Sequence, residues 1–269
     1  MTAALARFSL GRVILHLLAM LGDDAFRFHS AAIVRELSWA AGVTALTERT
    51  RARLLEMLTR YLAQPSRHTS PPRITDLQAR SAVLLPGDVL LTEGNTRMAA
   101  LVKRITGSPW SHVSMYVGPL EAGPDPRCVV EADIATGVRA VPLSELEGLR
   151  VRVLRPTGLH DHDRRRVADW VVSRIGDEYD VAHAWTLARR FMGLTSASRL
   201  PPHPQTTAQG AARFVCSTLV AQAFWLIGYQ IVAPQIGGCC TQMPDYRHLV
   251  PRDFENASVF EVVSLTPLA

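Results

Sequence analysis

Several protein classes are excluded by what the sequence lacks. It has four cysteines, Cys128, Cys216, Cys239 and Cys240, and no two of them form a Cys-x-x-Cys pair. Adjacent cysteines such as the last two have poor geometry for a mutual disulfide, so we expect no disulfide scaffold and a reducing compartment. No ligand spacing of cysteine and histidine supports a zinc site. We therefore predict a protein without a metal or another cofactor.

Long apolar runs are also missing. Residues 13–21, with the sequence VILHLLAML, are too short to span a bilayer, and no Ala-x-Ala cleavage site follows them. We therefore expect no signal peptide and a cytoplasmic location. The first interpretation of this run is an amphipathic helix packed on the rest of the protein. The alternative is a helix that lies on a membrane surface and makes the protein membrane-peripheral.

The charge is positive but has no nucleic-acid signature. The formal net charge is +5, and much of the excess is arginine, as in the run at 164–166. Such a run is typical of a solvated helix face, and the alternative is attraction to an anionic surface such as phospholipid. Because zinc-finger spacing, an RNA-binding aromatic signature and a basic-zipper pattern are all missing, we expect no nucleic acid partner.

The chain divides into a helical N-terminal part and a mixed C-terminal part. Residues 1–63 have helical periodicity, and Thr47 precedes a strong helix with an apolar stripe. A proline-rich segment at 64–72 marks the boundary. The predicted organisation is a helical extension at 1–63, a linker at 64–83 and one domain at 84–269.

The second part combines short apolar strands with helices. We predict strands at 88–91, 112–117, 128–132, 138–141, 151–154 and 259–265, and helices at 96–105, 160–175, 181–192 and 216–228. A polar, proline-containing segment at 194–210 is typical of a mobile loop. Strands clustered between helical blocks indicate an α+β domain with an antiparallel sheet.

Cys216 stands where an extended run turns into an apolar helix. A thiol at a helix N-terminus lies at the positive end of the helix dipole, which lowers its pKa. Cys216 is therefore a candidate nucleophile. Such a nucleophile needs a base, and the base needs a third group that orients it.

The strand that begins at His112 supplies the candidate base. Side chains alternate across a strand, so His112, Ser114 and Tyr116 share one face, while the apolar residues between them fill the core. We expect His112 to point toward a cleft or solvent. On the next strand, Glu131 interrupts an apolar run and can accept the Nδ1–H of the imidazole. Asp133 is the alternative carboxylate on the same face.

Five short motifs follow one another in a distinctive order. They are PGDVL at 86–90, SHVSMYVG at 111–118, VEA at 130–132, GDEYD at 176–180 and FVCSTLV at 214–220. In this order they resemble the circularly permuted papain-like amidases, the YiiX-like branch of the NlpC-type cysteine hydrolases. The resemblance covers about residues 84–265 and implies a permuted papain-like fold, with a small antiparallel sheet packed on helices. Residues 1–63 are not part of the family core.

The resemblance also implies roles for individual residues. Cys216 corresponds to the nucleophile, His112 to the general base and Glu131 to the orienting group. Tyr179 and Asp180 resemble the family's tyrosine–aspartate pair, for which a structural role is at least as well supported as a catalytic one. Further supporting candidates are Tyr116, Asp133 and Ser217.

Thr218 departs from the family pattern, in which a glutamate is expected two residues after the cysteine. We expect its side chain to shape the start of the helix. The departure therefore bears on substrate choice more than on the triad.

The resemblance implies acyl transfer through a thioacyl-enzyme. Hydrolysis of an amide or ester bond by a Cys–His–Glu triad is the first interpretation, with a peptide, acyl-amide or lipid-like substrate. One alternative is an acyltransferase that moves a fatty acyl group to an amine or a lipid, because lecithin–retinol acyltransferase-type enzymes and bacterial lysine fatty-acyltransferase toxins resemble this permuted family. The other is a non-catalytic binding or scaffold module in which Cys216 is a buried core residue. A peripheral membrane contact through the N-terminal helices is a further expectation.

Overall fold

The structure, a computed structural model, describes residues 48–66, 81–191, 212–232, 235–237, 240–242 and 245–264. Three sets of predictions lie outside these residues: the helices before Glu48, including the apolar run, most of the linker, and the polar loop that precedes Cys216. Within the described ranges, no helix is both long enough and apolar enough to cross a membrane.

A six-stranded antiparallel sheet forms the centre of the fold. Its strands are β1 (Val89–Glu93), β2 (His112–Tyr116), β3 (Arg127–Asp133), β4 (Gly137–Pro142), β5 (Arg150–Pro156) and β10 (Phe260–Val263). They are ordered β10-β5-β1-β2-β3-β4, and each neighbouring pair is antiparallel. The predicted α+β domain with an antiparallel sheet is confirmed. A separate antiparallel pair joins β8 (Gln235–Gly237) to β9 (Cys240–Gln242).

Most of the helices agree closely with the sequence pattern, and the short helix Pro251–Asn256 was not predicted. Those in the described residues are α1 (Glu48–Ala63), α2 (Arg97–Thr106), α3 (Asp161–Val172), α4 (Val181–Phe191), α5 (Cys216–Leu226) and α6 (Pro251–Asn256). The caps of α2 show why it has these bounds. Thr96 Oγ1 accepts the Ala99 N–H at 3.1 Å at its start, and Gly107, with a φ of 63°, ends it in the left-handed region.

Helix α1 packs against α2. The Arg97 guanidinium lies 4.0 Å from the centroid of the Tyr61 ring, and its Nη1 donates to Gln64 Oε1 at 2.8 Å. The strong helix predicted at the end of the N-terminal part is confirmed by α1. The boundaries of the predicted extension and linker stay predictions.

Helices cover one face of the sheet. α3 and α5 pack there on β2, and α5 also contacts β3. The core that they share includes Trp110, Phe224 and Phe254, each 1% exposed or less. Full burial of a phenylalanine side chain contributes about 1.5–3 kcal/mol. This core fixes α5, and with it the position of Cys216, against the sheet.

A second apolar cluster covers the other face. Leu84 and the 3-10 turn Leu143–Leu146 pack there against the strands. Because of this cover, Ser114 is fully buried and Tyr116 is only 7% exposed. The face that His112 shares with Ser114 and Tyr116 is therefore closed at these two residues. His112, at the first position of β2, keeps 25% of its side chain exposed.

Asp88 anchors the turn that opens the domain. Its fully buried carboxylate accepts the Leu85 N–H at 2.9 Å and two hydrogen bonds from Arg155 at 2.9 and 2.6 Å. Nη1 of Arg164 lies 3.6 Å from the same carboxylate. The prediction of a solvated face at 164–166 is therefore wrong for Arg164, which is buried because it completes this ion-pair cluster.

Two short strands that the sequence analysis did not predict hold the chain that enters α5. β6 (Glu178–Tyr179) and β7 (Arg213–Phe214) pair in parallel. The segment before β6 is tied to β4, since the Val138 N–H donates to Asp177 O at 2.8 Å. Gly137 allows this approach, because its φ is 78° and an added Cβ would collide with the Asp177 carbonyl oxygen. The segment before Cys216 is thereby held against the sheet.

Candidate active site

Cys216 is the first residue of α5, and it lies where β2 and β3 separate. The described pairing of these strands ends at Ser114 and Glu131, so the N–H of Val113 is left without a partner in β3. This N–H donates instead to the Cys216 sulfur, as does the N–H of Ser217. Two backbone donors therefore hold the buried sulfur at the positive end of the helix dipole.

His112 bridges Cys216 and Glu131. Its Nε2 lies 2.8 Å from Glu131 Oε2, which leaves Nδ1 for the hydrogen bond to the Cys216 side chain. The structure thus brings together the three residues that the sequence singled out. The predicted use of Nδ1 toward the carboxylate is wrong, because Nε2 takes that position.

Arg139 binds the other oxygen of Glu131. β4 places it directly opposite Glu131, and its Nη2 and Nε donate to Oε1 at 2.8 and 3.0 Å. Nη2 also donates to Glu145 at 2.5 Å. Arg139 was not among the residues predicted for the site. The short turn between the two predicted strands could have indicated it, because a tight hairpin there sets Arg139 opposite Glu131.

The thiol and the imidazole have coupled charges. Burial alone would raise the pKa of Cys216, but the positive charge of His112, their hydrogen bond and the backbone donors lower it below its ordinary value. Burial alone would lower the pKa of His112, but the negative charges of Cys216 and Glu131 and the hydrogen bonds to both raise it well above its ordinary value. Both shifts favour the ion pair of thiolate and imidazolium.

Glu131 stays ionised although it is buried. Burial raises the pKa of its carboxyl group, but the charges of His112 and Arg139 and the hydrogen bonds to both bring that pKa down to about 2. The carboxylate therefore keeps its charge at neutral pH, where it stabilises the imidazolium form of His112.

A thiol, an imidazole and a carboxylate in one hydrogen-bonded chain are the groups that acyl transfer by cysteine requires. Residues 83–191 match the family model described as permuted papain-like amidase enzyme, YaeF/YiiX, C92 family. Over these residues the chain is similar to the permuted papain-like amidases. The match confirms the family and fold class expected from the sequence, and it supports a cysteine hydrolase at the family level. None of the curated proteins compared with the chain matches it.

The matched segment contains His112 and Glu131 but ends before Cys216. The thiol comes from a part of the chain that follows the matched segment. β7, which pairs with β6 inside the matched segment, leads directly into α5. The parallel pairing of β6 and β7 therefore holds Cys216 next to the residues of the matched segment.

Tyr179 lies beside Cys216. Burial raises the pKa of its phenol, and the negative charges of Cys216, Asp133 and Asp180 raise it further, well above its ordinary value. The Tyr179 hydroxyl is therefore protonated at neutral pH and can donate a hydrogen bond near the sulfur.

The other acidic candidates have structural contacts. Asp180 Oδ1 accepts the His183 N–H at 2.8 Å and so caps the first turn of α4. Asp133 Oδ1 accepts two backbone N–H groups, at 2.9 and 3.0 Å, in the turn between β3 and β4. The carboxylate on His112 is therefore Glu131, and the alternative assignment of Asp133 is wrong. In the described part of the chain, no three His, Cys, Asp or Glu side chains cluster as a metal site requires.

The last two candidates differ in their placement. Tyr116 packs in the second apolar cluster, where burial, and then the charges of Cys128 and Asp88, raise the pKa of its phenol. It therefore belongs to the core and does not join the site. Ser217 is buried directly behind Cys216 and contributes its backbone N–H to the sulfur.

Thr218 closes the first turn of α5. Its buried Oγ1 accepts the Val215 N–H at 3.0 Å and donates to Val215 O at 3.0 Å. A glutamate in a capping box satisfies the same N–H, that of the residue before the helix. The expectation that Thr218 shapes the helix start is confirmed.

Replacement of Thr218 by valine should lower the free energy of unfolding by about 1–2 kcal/mol, because the buried N–H of Val215 loses its acceptor. Thr218→Ser keeps the hydroxyl and is the matched control. Urea denaturation of both variants measures the difference. Equal stability of the valine and serine variants would show that this hydrogen bond does not hold the helix start.

Proposed function

We propose that the protein hydrolyses an amide or ester bond through a thioacyl-enzyme, with Cys216 as nucleophile, His112 as general acid and base, and Glu131 as the orienting carboxylate. The hydrogen-bonded chain from Cys216 through His112 to Glu131 carries this proposal. It stands in a domain whose family is described as amidases. The lowered pKa of the thiol is what a cysteine nucleophile needs at neutral pH.

The reaction has two halves. The Cys216 thiolate attacks the carbonyl carbon, and the tetrahedral intermediate collapses as the C–N or C–O bond breaks. His112 gives its proton to the leaving amine or alcohol. Water then attacks the thioester while His112 accepts a proton from it, and the collapse releases the carboxylic acid and restores the thiolate–imidazolium pair.

Two donors are available for the oxyanion of the tetrahedral intermediate. Cys216 is the first residue of α5, and the first N–H groups of a helix have no intrahelical acceptor. Its N–H can therefore bind the oxyanion. The hydroxyl of Tyr179, which stays protonated near the sulfur, is the second candidate.

The substrate class that we propose is a peptide, an acyl-amide or a lipid-like ester. The acyl group must reach a sulfur that lies beside the half-buried His112 side chain. Contact of the N-terminal helices with a membrane surface would favour the lipid-like class. That contact and the cytoplasmic location stay predictions, since residues 1–47 lie outside the described ranges.

A thioester on Cys216, trapped by acid quenching, is the expected result when the full-length protein reacts with an activated acyl donor such as a p-nitrophenyl ester. The thiolate attacks this carbonyl faster than water does. Mass spectrometry after acid quenching locates the acyl group. Cys216→Ala should abolish the adduct, and Cys128→Ala, which removes a buried thiol of the second apolar cluster, should leave it unchanged.

The fate of this thioester distinguishes a hydrolase, an acyltransferase and a non-catalytic module. Decay to the free carboxylic acid supports hydrolysis. Transfer to an added amine, with little free acid, supports the acyltransferase alternative and overturns the proposed hydrolysis. No adduct on Cys216, together with slow iodoacetamide labelling of every thiol, supports a non-catalytic module.

A further inference from the structure

We propose that Arg139 is a positioning residue: it holds one oxygen of Glu131 so that the other faces His112 throughout the pH range in which Cys216 reacts. This inference rests on the proposed function of the Cys216–His112 pair. In the described residues, the hydrogen bonds of Arg139 go to Glu131 and Glu145. Arg139 therefore acts on the reaction through the carboxylate.

The two oxygens of Glu131 have different partners. Oε2 lies 2.8 Å from Nε2 of His112, and Oε1 accepts from both Nη2 and Nε of Arg139 at 2.8 and 3.0 Å. Two donors from one rigid guanidinium restrict rotation of the carboxylate plane. Without the two hydrogen bonds from Arg139, the Glu131 carboxylate could rotate about its contact with His112. The imidazole would then lose its fixed orientation toward the sulfur.

Arg139 also keeps Glu131 charged. A buried carboxyl group without a nearby cation tends to be neutral at neutral pH, because burial disfavours its charged form. A protonated Glu131 could not stabilise the imidazolium of His112. Arg139 is 35% exposed and is shared with Glu145, which is 42% exposed, so the cation that holds the buried carboxylate comes from the rim of the site.

The surroundings of the pair determine the sign of the effect. Around Cys216 and His112, the charged or titratable side chains of the described elements include Glu131 of β3, Asp133 at its end, Arg139 of β4, Tyr179 of β6, Asp180 before α4, and Glu145 of the 3-10 turn Leu143–Leu146. Arginines on other elements beside α5 have carboxylate partners of their own: Arg213 of β7 pairs with Glu178, and Arg247 of the 3-10 turn Tyr246–His248 pairs with Asp245. Loss of Arg139 removes the cation that binds Glu131 and so weakens the stabilisation of the His112 imidazolium, which raises the pKa of Cys216.

Arg139→Ala should move the pH profile of Cys216 alkylation by iodoacetamide to higher pH. We expect the rate near pH 6.5 to fall by at most about tenfold, the equivalent of one pKa unit, because Arg139 acts through Glu131 and its loss cannot cost more than loss of the carboxylate charge. Arg139→Lys should recover part of the rate, since an ammonium group restores the charge and not the paired geometry. Arg127→Ala removes an exposed arginine that pairs with Glu121, and this matched control should leave the profile unchanged.

The pH profile distinguishes positioning from structural support. If Arg139 were merely structural, its loss would lower the melting temperature without moving the profile, and that result overturns the inference. If the alanine variant does not fold, Arg139→Lys gives the same comparison. Wild-type Cys216 that labels slowly and independently of His112 would refute the proposed function itself. Fast, His112-dependent labelling with an unmoved Arg139→Ala profile refutes this inference alone.

Discussion

Replacement of His112 by alanine should lower the rate of Cys216 alkylation by iodoacetamide by about a hundredfold near pH 6.5. In the native pair the charge of His112 lowers the pKa of the thiol against the effect of burial. A free thiol with a pKa near 8.5 is only about 1% ionised at this pH. The variant leaves Cys216 buried with no cation beside it, so its ionised fraction falls at least this far.

The pH dependence has a defined direction. The pKa of Cys216 is lowered and that of His112 is raised, and both shifts favour the ion pair. Alkylation, which needs only the thiolate, should rise at lower pH than for a free thiol and then stay high. Turnover of a substrate also needs the imidazolium proton for the leaving group, so it should fall again as pH rises through the pKa of His112.

Cys128 is an internal control for this experiment. Burial raises the pKa of its thiol, so it should label slowly in the wild type and in the variant. Glu131→Gln should give a smaller decrease at Cys216, about tenfold, because it removes the charge that stabilises the imidazolium and keeps the shape of the side chain. Equal alkylation of Cys216 with and without His112, in proteins with the same circular dichroism spectrum, would show that the histidine does not activate the thiol.

Local sequence pattern predicted the elements that carry the site. β2 begins at His112 and α5 at Cys216, as expected, because an apolar face marks each element and a change of periodicity marks its start. The pairing of the two residues could not be derived from either element alone. It depends on the core that holds α5 on the sheet and on the point where β2 and β3 separate.

Contacts across the sequence explain the predictions that were wrong or missing. Alternation shows which side chains share a face of a strand, but it does not show what covers that face. Tyr116 was therefore a supporting candidate for the site, although Leu84 and the turn Leu143–Leu146 bury it. Arg139 was overlooked because its role depends on the register that sets it opposite Glu131. A one-residue shift would place it on the other face.

Asp88→Asn should lower the free energy of unfolding by about 3–5 kcal/mol, the usual cost of breaking a buried ion pair from one side. The fully buried carboxylate binds Arg155 and contacts Arg164, and an amide would leave both guanidinium groups without an anion. For a chain of this size, we expect the melting temperature to fall by roughly 6–20 °C. Glu121→Gln, which removes the charge of an exposed pair, is the control and should change it little.

A double-mutant cycle of Asp88→Ala and Arg155→Ala isolates the ion pair, because the double variant should lose clearly less stability than the sum of the single variants. Additive losses, or an Asp88→Asn variant as stable as Glu121→Gln, would show that the pair does not hold the domain together. Below its melting temperature, Asp88→Asn should keep the wild-type alkylation profile of Cys216, since its partners lie outside the site. A loss of stability without a change of thiol reactivity would thus distinguish the turn that supports β1 from the residues that act on the substrate.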